Sequence, residues 1–275
     1  MARQRFGADF IQEINNTRVP YGMLAIWFLG QESVVVKGGD TTVYIDPYLS
    51  ENSNRMFAAP IQPEHITNAT YCLITHDHLD HLDLATVSVM GRNNAGILFM
   101  APGYCHAEML NRGISQEQLL LARTGEWWRG SDIQIKAVPA AHEEFEYDAE
   151  LGHRYVGYIL KLNGVTLYHA GDTLIYPGLV ASLKEEAIDI GMLPINGRDA
   201  FRSLRLIGNM NYREAVELAV AADMDTVVPL HYDLLKGNTE KPGYFIDYLH
   251  EYYPEQKSHV LARYEKYIYV SKEFP

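Results

Sequence analysis

Only two of the 275 residues are cysteine, Cys72 and Cys105, so no disulfide framework braces the chain. A reducing, cytoplasmic setting is the simplest fit. No apolar run is long enough to span a bilayer, which argues against a membrane protein. The first residues, MARQRFGADFIQEINN, are partly basic but lack the apolar stretch of a secretory signal. Basic residues are scarce too: 23 Lys and Arg stand against 35 Asp and Glu, for a net charge of −12. A binder of long nucleic acid normally shows a basic face, so that partner class is disfavoured, although a local basic pocket is not. Repeats, low-complexity tracts and linkers are also missing. Residues 1–275 therefore read as one domain, with residues 1–20 as an N-terminal helical extension. Phe6, Phe10 and Ile14 would line the apolar face of that helix.

What is present is a core-sized hydrophobic share, 47% of the residues, arranged in short runs. The segments 24-LAIWFLG-30, 33-SVVVK-37 and 42-TVYID-46, punctuated by glycine, predict an antiparallel meander. Further strands are expected at 71-YCLIT-75, 97-ILFMA-101, 133-IQIKAVPA-140, 156-VGYILKLN-163, 165-VTLYHA-170, 188-IDIGMLP-194 and 226-TVVPLH-231. Asn163-Gly164 tolerates the positive φ angles of a tight hairpin turn. Helical periodicity covers residues 82–92, 104–113, 211–223 and 243–253, the third with Ala215, Leu218, Ala219 and Ala222 on one stripe. Meanders followed by strand–helix alternation indicate an α/β protein of two sheets with helices outside.

Against that background 75-THDHLDH-81 stands out. It packs His76, His78 and His81 with Asp77 and Asp80 into one turn at the end of an apolar strand. Neutral imidazole is the commonest transition-metal ligand, and histidines one residue apart can converge on a single ion. Asp80 and His81 then point toward a second position. Seven residues cannot complete two sites, and other strand ends supply candidates: His142, Asp172 in 168-YHAGDT-173, and His231. Loops past strand ends are where sites collect. By contrast His65, His106, His153, His250 and His259 read as ordinary hydrogen-bonded core or surface residues, while His169 reads either as a support for a ligand or, at least as readily, as a satisfied buried histidine beside the site.

The H-x-H-x-D-H motif, followed by a distant His, an Asp within G-D-T and a final His, resembles the signature of the metallo-β-lactamase superfamily. The similarity runs from about Leu24 to His231 and is greatest to the L-ascorbate-6-phosphate lactonase branch. It is carried by 25-AIWFLGQESVVVK-37, 43-VYIDP-47, 72-CLITHDHLDHLD-83, 165-VTLYHAGDT-173 and 211-NYREAVELAVAADMDTVVPLHYD-233. The resemblance implies an αββα four-layer sandwich. It also implies a first ion held by His76, His78 and His142, a second held by Asp80, His81 and His231, and Asp172 bridging the two. A histidine at position 78, where oxygen-reducing di-iron members carry a carboxylate, points to hydrolysis. Asp46 is similar to a family aspartate that supports a ligand histidine; alternatively it merely forms a turn before Pro47.

The expected cofactors are two divalent ions, zinc or manganese, sharing a hydroxide that attacks the substrate. Asp80 would both bind the second ion and act as the catalytic acid/base. The expected partner is a small anionic molecule such as a sugar-phosphate lactone, with a small phosphodiester as the alternative substrate. A non-catalytic metal-binding protein is the third reading, and the complete ligand set opposes it. Within 196-NGRDAFRSLR-205, Arg198 and Arg202 are candidates to bind that anion, since a guanidinium fork matches phosphate or carboxylate; an exposed face paired with acidic residues is the other reading. Trp127, Trp128 and the tyrosine-rich C-terminal stretch read as core or subunit interface, which leaves a homo-oligomer open.

Overall fold

Alternation along strand β1 (Met23–Gly30) sets the layers. Leu24, Ile26 and Phe28 enter one hydrophobic cluster, whereas Ala25, Trp27 and Leu29 enter another. In a strand, successive side chains point to opposite faces, so a strand with no exposed face must lie between two other layers. The computed structural model describes residues 6–197 and 208–272.

The remaining strands of the first half are β2 (Ser33–Gly38), β3 (Thr41–Ile45), β4 (Tyr71–Leu73), β5 (Leu98–Ala101) and β6 (Leu119–Leu121). The second half holds β7 (Trp127–Arg129), β8 (Ile133–Pro139), β9 (Tyr147–Asp148), β10 (Gly152–His153), β11 (Val156–Leu162) and β12 (Val165–His169). It continues with β13 (Ile190–Pro194), β14 (Thr226–Leu230), β15 (Lys257–Ser258) and β16 (Lys266–Val270). One seven-stranded sheet runs β16-β1-β2-β3-β4-β5-β6 and the other β15-β14-β13-β12-β11-β8-β7. Strands β9 and β10 form a separate hairpin. The first sheet's outer cluster is completed by α1 (Ala8–Asn16), α2 (Leu84–Asn93) and α3 (Gly103–Asn111). Helices α4 (Leu179–Glu185), α5 (Tyr212–Ala221) and α6 (Pro242–Tyr252) pack with the second sheet. The expected αββα sandwich is what forms.

The meander β1-β2-β3 is antiparallel, and β11 and β12 join through Asn163 and Gly164, at φ 54° and 80°. Thereafter β3, β4 and β5 are mutually parallel, as are β12, β13 and β14. Parallel neighbours bring their C-terminal ends to one edge of the sheet, so the loops after them can meet there. The N-terminal helix is shorter than expected. It buries Phe10, Ile11 and Ile14, but Phe6 precedes it and is exposed, because Gly7 turns the chain at φ 59° and donates its N–H to Pro60 O. Trp127 and Trp128 lie half-buried against the core on the edge strand β7. Among the described residues no helix is long and apolar enough to cross a membrane. Arg198, Arg202 and Arg205 lie outside the described residues.

Candidate metal centre

Four strand ends deliver the candidate ligands to one place. His76, His78, Asp80 and His81 follow β4, His142 follows β8, Asp172 follows β12 and His231 follows β14. Three groups of side chains there could hold a metal ion: His76, His78 and His142; His76, His81 and Asp172; and Asp80, His81 and His231. Within each group the ligand atoms all lie within 4.8 Å of one another. Asp172 sits between the two ends. Its Oδ2 is 3.5 Å from His142 Nε2 and 3.6 Å from His81 Nε2, and its Oδ1 is 3.4 Å from His231 Nε2. Every residue expected from the sequence to bind metal is in this cluster. His65, His106, His153, His250 and His259 are in none of the three groups.

The backbone around these residues is specialised. Gly171 holds Asp172 at a turn with φ 57°, where a Cβ would lie 2.9 Å from Thr75 Cβ and from Val156 O, so only glycine fits. His231 is held at φ 56°, with its N–H donating to Gln31 O. Positive φ in a non-glycine residue costs on the order of 1–3 kcal/mol and clusters at functional sites.

Hydrogen bonds fix which nitrogen each imidazole presents. Asp46 is fully buried, and its carboxylate accepts from Thr75 N at 2.8 Å, Thr75 Oγ1 at 2.6 Å and His81 Nδ1 at 2.8 Å. Asp46 thus lies within hydrogen-bond reach of a candidate ligand histidine, and its φ of 45° makes the turn before Pro47 as well. The Thr75 hydroxyl spends its hydrogen on Asp46, so His76 Nδ1, 3.0 Å away, donates to it. His142 Nδ1 donates to Gly208 O at 3.0 Å. All three rings therefore turn Nε2 inward, the nitrogen that would have to meet a metal ion.

The electrostatics agree. Burial pushes the His76, His78 and His142 protonation equilibria down, helped by the neighbouring imidazoles, so these rings stay neutral. Burial alone would raise the Asp172 carboxyl, but His231, His81 and His142 outweigh it and hold it well below the usual carboxylate range. For His81 burial pushes down, whereas the Asp172, Asp80 and Asp46 carboxylates push up and prevail, so without metal this ring favours a second proton at Nε2, the position a cation would take. A metal fits these residues on one further observation. His76 Nε2, His81 Nε2 and Asp172 Oδ1 are buried with no hydrogen-bond partner, a costly arrangement unless another positive centre meets them. Asp80 and His78 are only partly buried and mark the open side.

Two neighbours escaped the sequence reading. Gln31, buried in the β1–β2 turn, donates Nε2–H to Asp80 Oδ2 at 2.8 Å and lies 3.1 Å from His231 Nε2. Fully buried Glu32 places Oε2 3.2 Å from His169 Nε2, whose hydrogen goes instead to the Glu32 main-chain carbonyl at 2.9 Å, so neither carboxyl oxygen is hydrogen-bonded. No residue-type signal distinguishes either from an ordinary turn residue.

Residues 41–232 match the β-lactamase superfamily domain family. A metal-dependent hydrolase of Thermococcus kodakarensis is 31% identical over 225 residues, which cover 81% of this chain and 91% of that protein. The metallo hydrolase Igni18 of Ignicoccus hospitalis has a similar structure, with a TM-score of 0.70 at 22% identity over 91% of this chain and 100% of its own. An isothiocyanate hydrolase from Delia radicum gut bacteria gives 0.72 at 19% identity, over 90% of this chain and 100% of its own, and shares the fold. The chain belongs to the β-lactamase superfamily, as a metal-dependent hydrolase of the metallo-β-lactamase fold.

Proposed function

We propose that the protein is a dinuclear hydrolase of a small anionic substrate such as a sugar-phosphate lactone, working in a reducing cytoplasm that its two buried, unbridged cysteines suit. The observation that carries this reading is the arrangement of the inward-facing ligand atoms on both sides of the Asp172 carboxylate. His76, His78 and His142 would hold one ion, Asp80, His81 and His231 the other, and Asp172 both. Two bound ions supply a polarised substrate oxygen and a water acidic enough to act as nucleophile near neutral pH. A three-imidazole set suits zinc, and the set with Asp80 accepts manganese as readily.

The chain's own residues do the rest. Asp80, partly open to solvent and fixed by Gln31, takes and returns the proton at its carboxylate. His81, backed by Asp46, keeps the ring orientation that the second ligand set requires. Arg198 and Arg202 would engage the anionic group, which the resemblance to the lactonase branch leads one to expect. Elemental analysis of protein purified without chelator should find two equivalents of transition metal. One equivalent, with no change in His231→Ala, would refute the dinuclear reading. A panel of lactones, chromogenic phosphodiesters and β-lactams with zinc or manganese then assigns the reaction, with lactone turnover expected.

A further inference from the structure

The three-histidine set is assembled from two segments far apart in the chain, the H-x-H turn at residues 76–78 and the loop bearing His142. One guanidinium is bonded to both. Arg154 Nε and Nη2 donate to Asp77 Oδ1 and Oδ2, each at 2.9 Å, while Nη1 donates to Glu146 Oε2 at 2.9 Å. Asp77 is the residue between His76 and His78, and Glu146 lies shortly after His142 in the stretch leading to β9. The Arg154 main-chain N–H donates to Glu146 O as well, at 2.9 Å. A bidentate arginine–carboxylate fork fixes orientation as well as distance.

The next residue completes the device. Tyr155 is 2% exposed, and its ring centroid lies 5.3 Å from that of His76, 5.8 Å from His78 and 5.1 Å from His142. Its hydroxyl donates to Glu146 Oε1 at 3.3 Å, and the Arg154 guanidinium carbon lies 5.3 Å from its ring centre. The three imidazoles thus rest on one aromatic ring, and the two segments that carry them are tied to one cation. Asp77, which by residue type could pass for a ligand, has both carboxylate oxygens engaged by Arg154.

We propose that Arg154, acting through Asp77 and Glu146 with Tyr155 beneath, is the positioning residue for the three-histidine set and has no such effect on Asp80, His81 and His231. This rests on the two-ion reading above. Cobalt(II) is titrated into the metal-depleted full chain, followed by calorimetry and by the visible spectrum of the bound ion, in two backgrounds. In His231→Ala the three-histidine set is whole, and Arg154→Ala should weaken cobalt binding by about tenfold or more, as the loss of a group supporting metal ligands does. In His78→Ala, where that set is already broken, the same change should alter affinity by less than about twofold on the same grounds. Arg154→Lys keeps the charge but not the fork, and should recover only a minor part of the loss. Asp77→Asn removes the ion pair while leaving Arg154 in place, and should reproduce the pattern even if Arg154→Ala folds poorly. Equal weakening in both backgrounds, or none in either, overturns the assignment. A single equivalent of cobalt in the unsubstituted protein would instead count against the two-ion reading and leaves the His231→Ala comparison readable.

Discussion

Replacing Asp46 by Asn tests whether the buried carboxylate sets the tautomer of His81. Asparagine is the informative choice because it keeps the shape and tolerates the φ of 45° that residue 46 adopts. Its Oδ1 can still accept from Thr75 N. Its amide nitrogen must then face Thr75 Oγ1 and His81 Nδ1, where the carboxylate now accepts at 2.6 and 2.8 Å. Two donors would oppose each other at His81 Nδ1. With a metal bound, the ring would escape only by moving its Nδ1 hydrogen to Nε2, which removes the lone pair needed at the nitrogen beside Asp172. A lost charge-assisted hydrogen bond is worth about 1.5–3 kcal/mol, and each 1.4 kcal/mol is about tenfold in affinity. Metal affinity should therefore fall about ten- to a hundredfold, the range seen when groups behind metal-bound histidines are removed. The larger fall should be at the ion that His81 would hold, since His76 is reached only through the Thr75 hydroxyl. Calorimetric titration of the metal-depleted protein with zinc should show one step weakened clearly more than the other. Unaltered affinity in both steps, or equal loss in both, would refute the tautomer argument.

Three other outcomes are expected. Asp80→Asn should lower kcat by at least about a hundredfold, the scale of general acid–base catalysis, with urea unfolding of the metal-free protein nearly unchanged; near-normal turnover would remove Asp80 from the chemistry. Arg198→Ala should raise KM by about ten- to a hundredfold for an anionic substrate, from the same 1.5–3 kcal/mol contact, and leave a neutral analogue unaffected; equal effects on both would return this arginine to a solvated face. Glu32 is pushed well up, first by burial and then by Asp172, so its folded-state value exceeds the unfolded value of about 4.3. The stability it contributes is present below that unfolded value and is lost as pH rises through the folded one. Urea unfolding of metal-free Glu32→Gln should accordingly gain on the parent as pH rises, and a difference independent of pH would show that Glu32 does not titrate with folding.

Much of the fold was legible because its strands are short, apolar and separated by glycine, and because the better helices carry a stripe. What escaped was either brief or paired at long range. Strand β16 pairs with β1 across most of the chain, and of its residues only Tyr269 is buried. An edge strand of that kind shows no continuous apolar run. Strands β6 and β7 are three residues each, too short for periodicity to register. Helix α4 starts after Gly178 in the left-handed region with no side-chain cap, so the usual Ser, Asp or Asn signal at a helix start is missing. By contrast α5 carries a capping box from Asn211 and Glu214, and its start was readable to within a residue.

The candidate metal ligands were legible for a different reason. Four of them sit in one turn, where local density is itself the signal, and the others follow apolar runs that end in a ligand-type residue. Support for those ligands has no such local mark. Asp46 was found only through a resemblance, and Gln31, Arg154 and Tyr155 were not found at all, because each acts on residues distant in sequence. Residue type can even mislead. Asp77 lies inside the densest run of ligand-like side chains in the chain, yet Arg154 takes both of its oxygens. Ligands must present particular atoms and so are restricted to a few residue types, whereas the groups that hold them need only reach, and many types can reach.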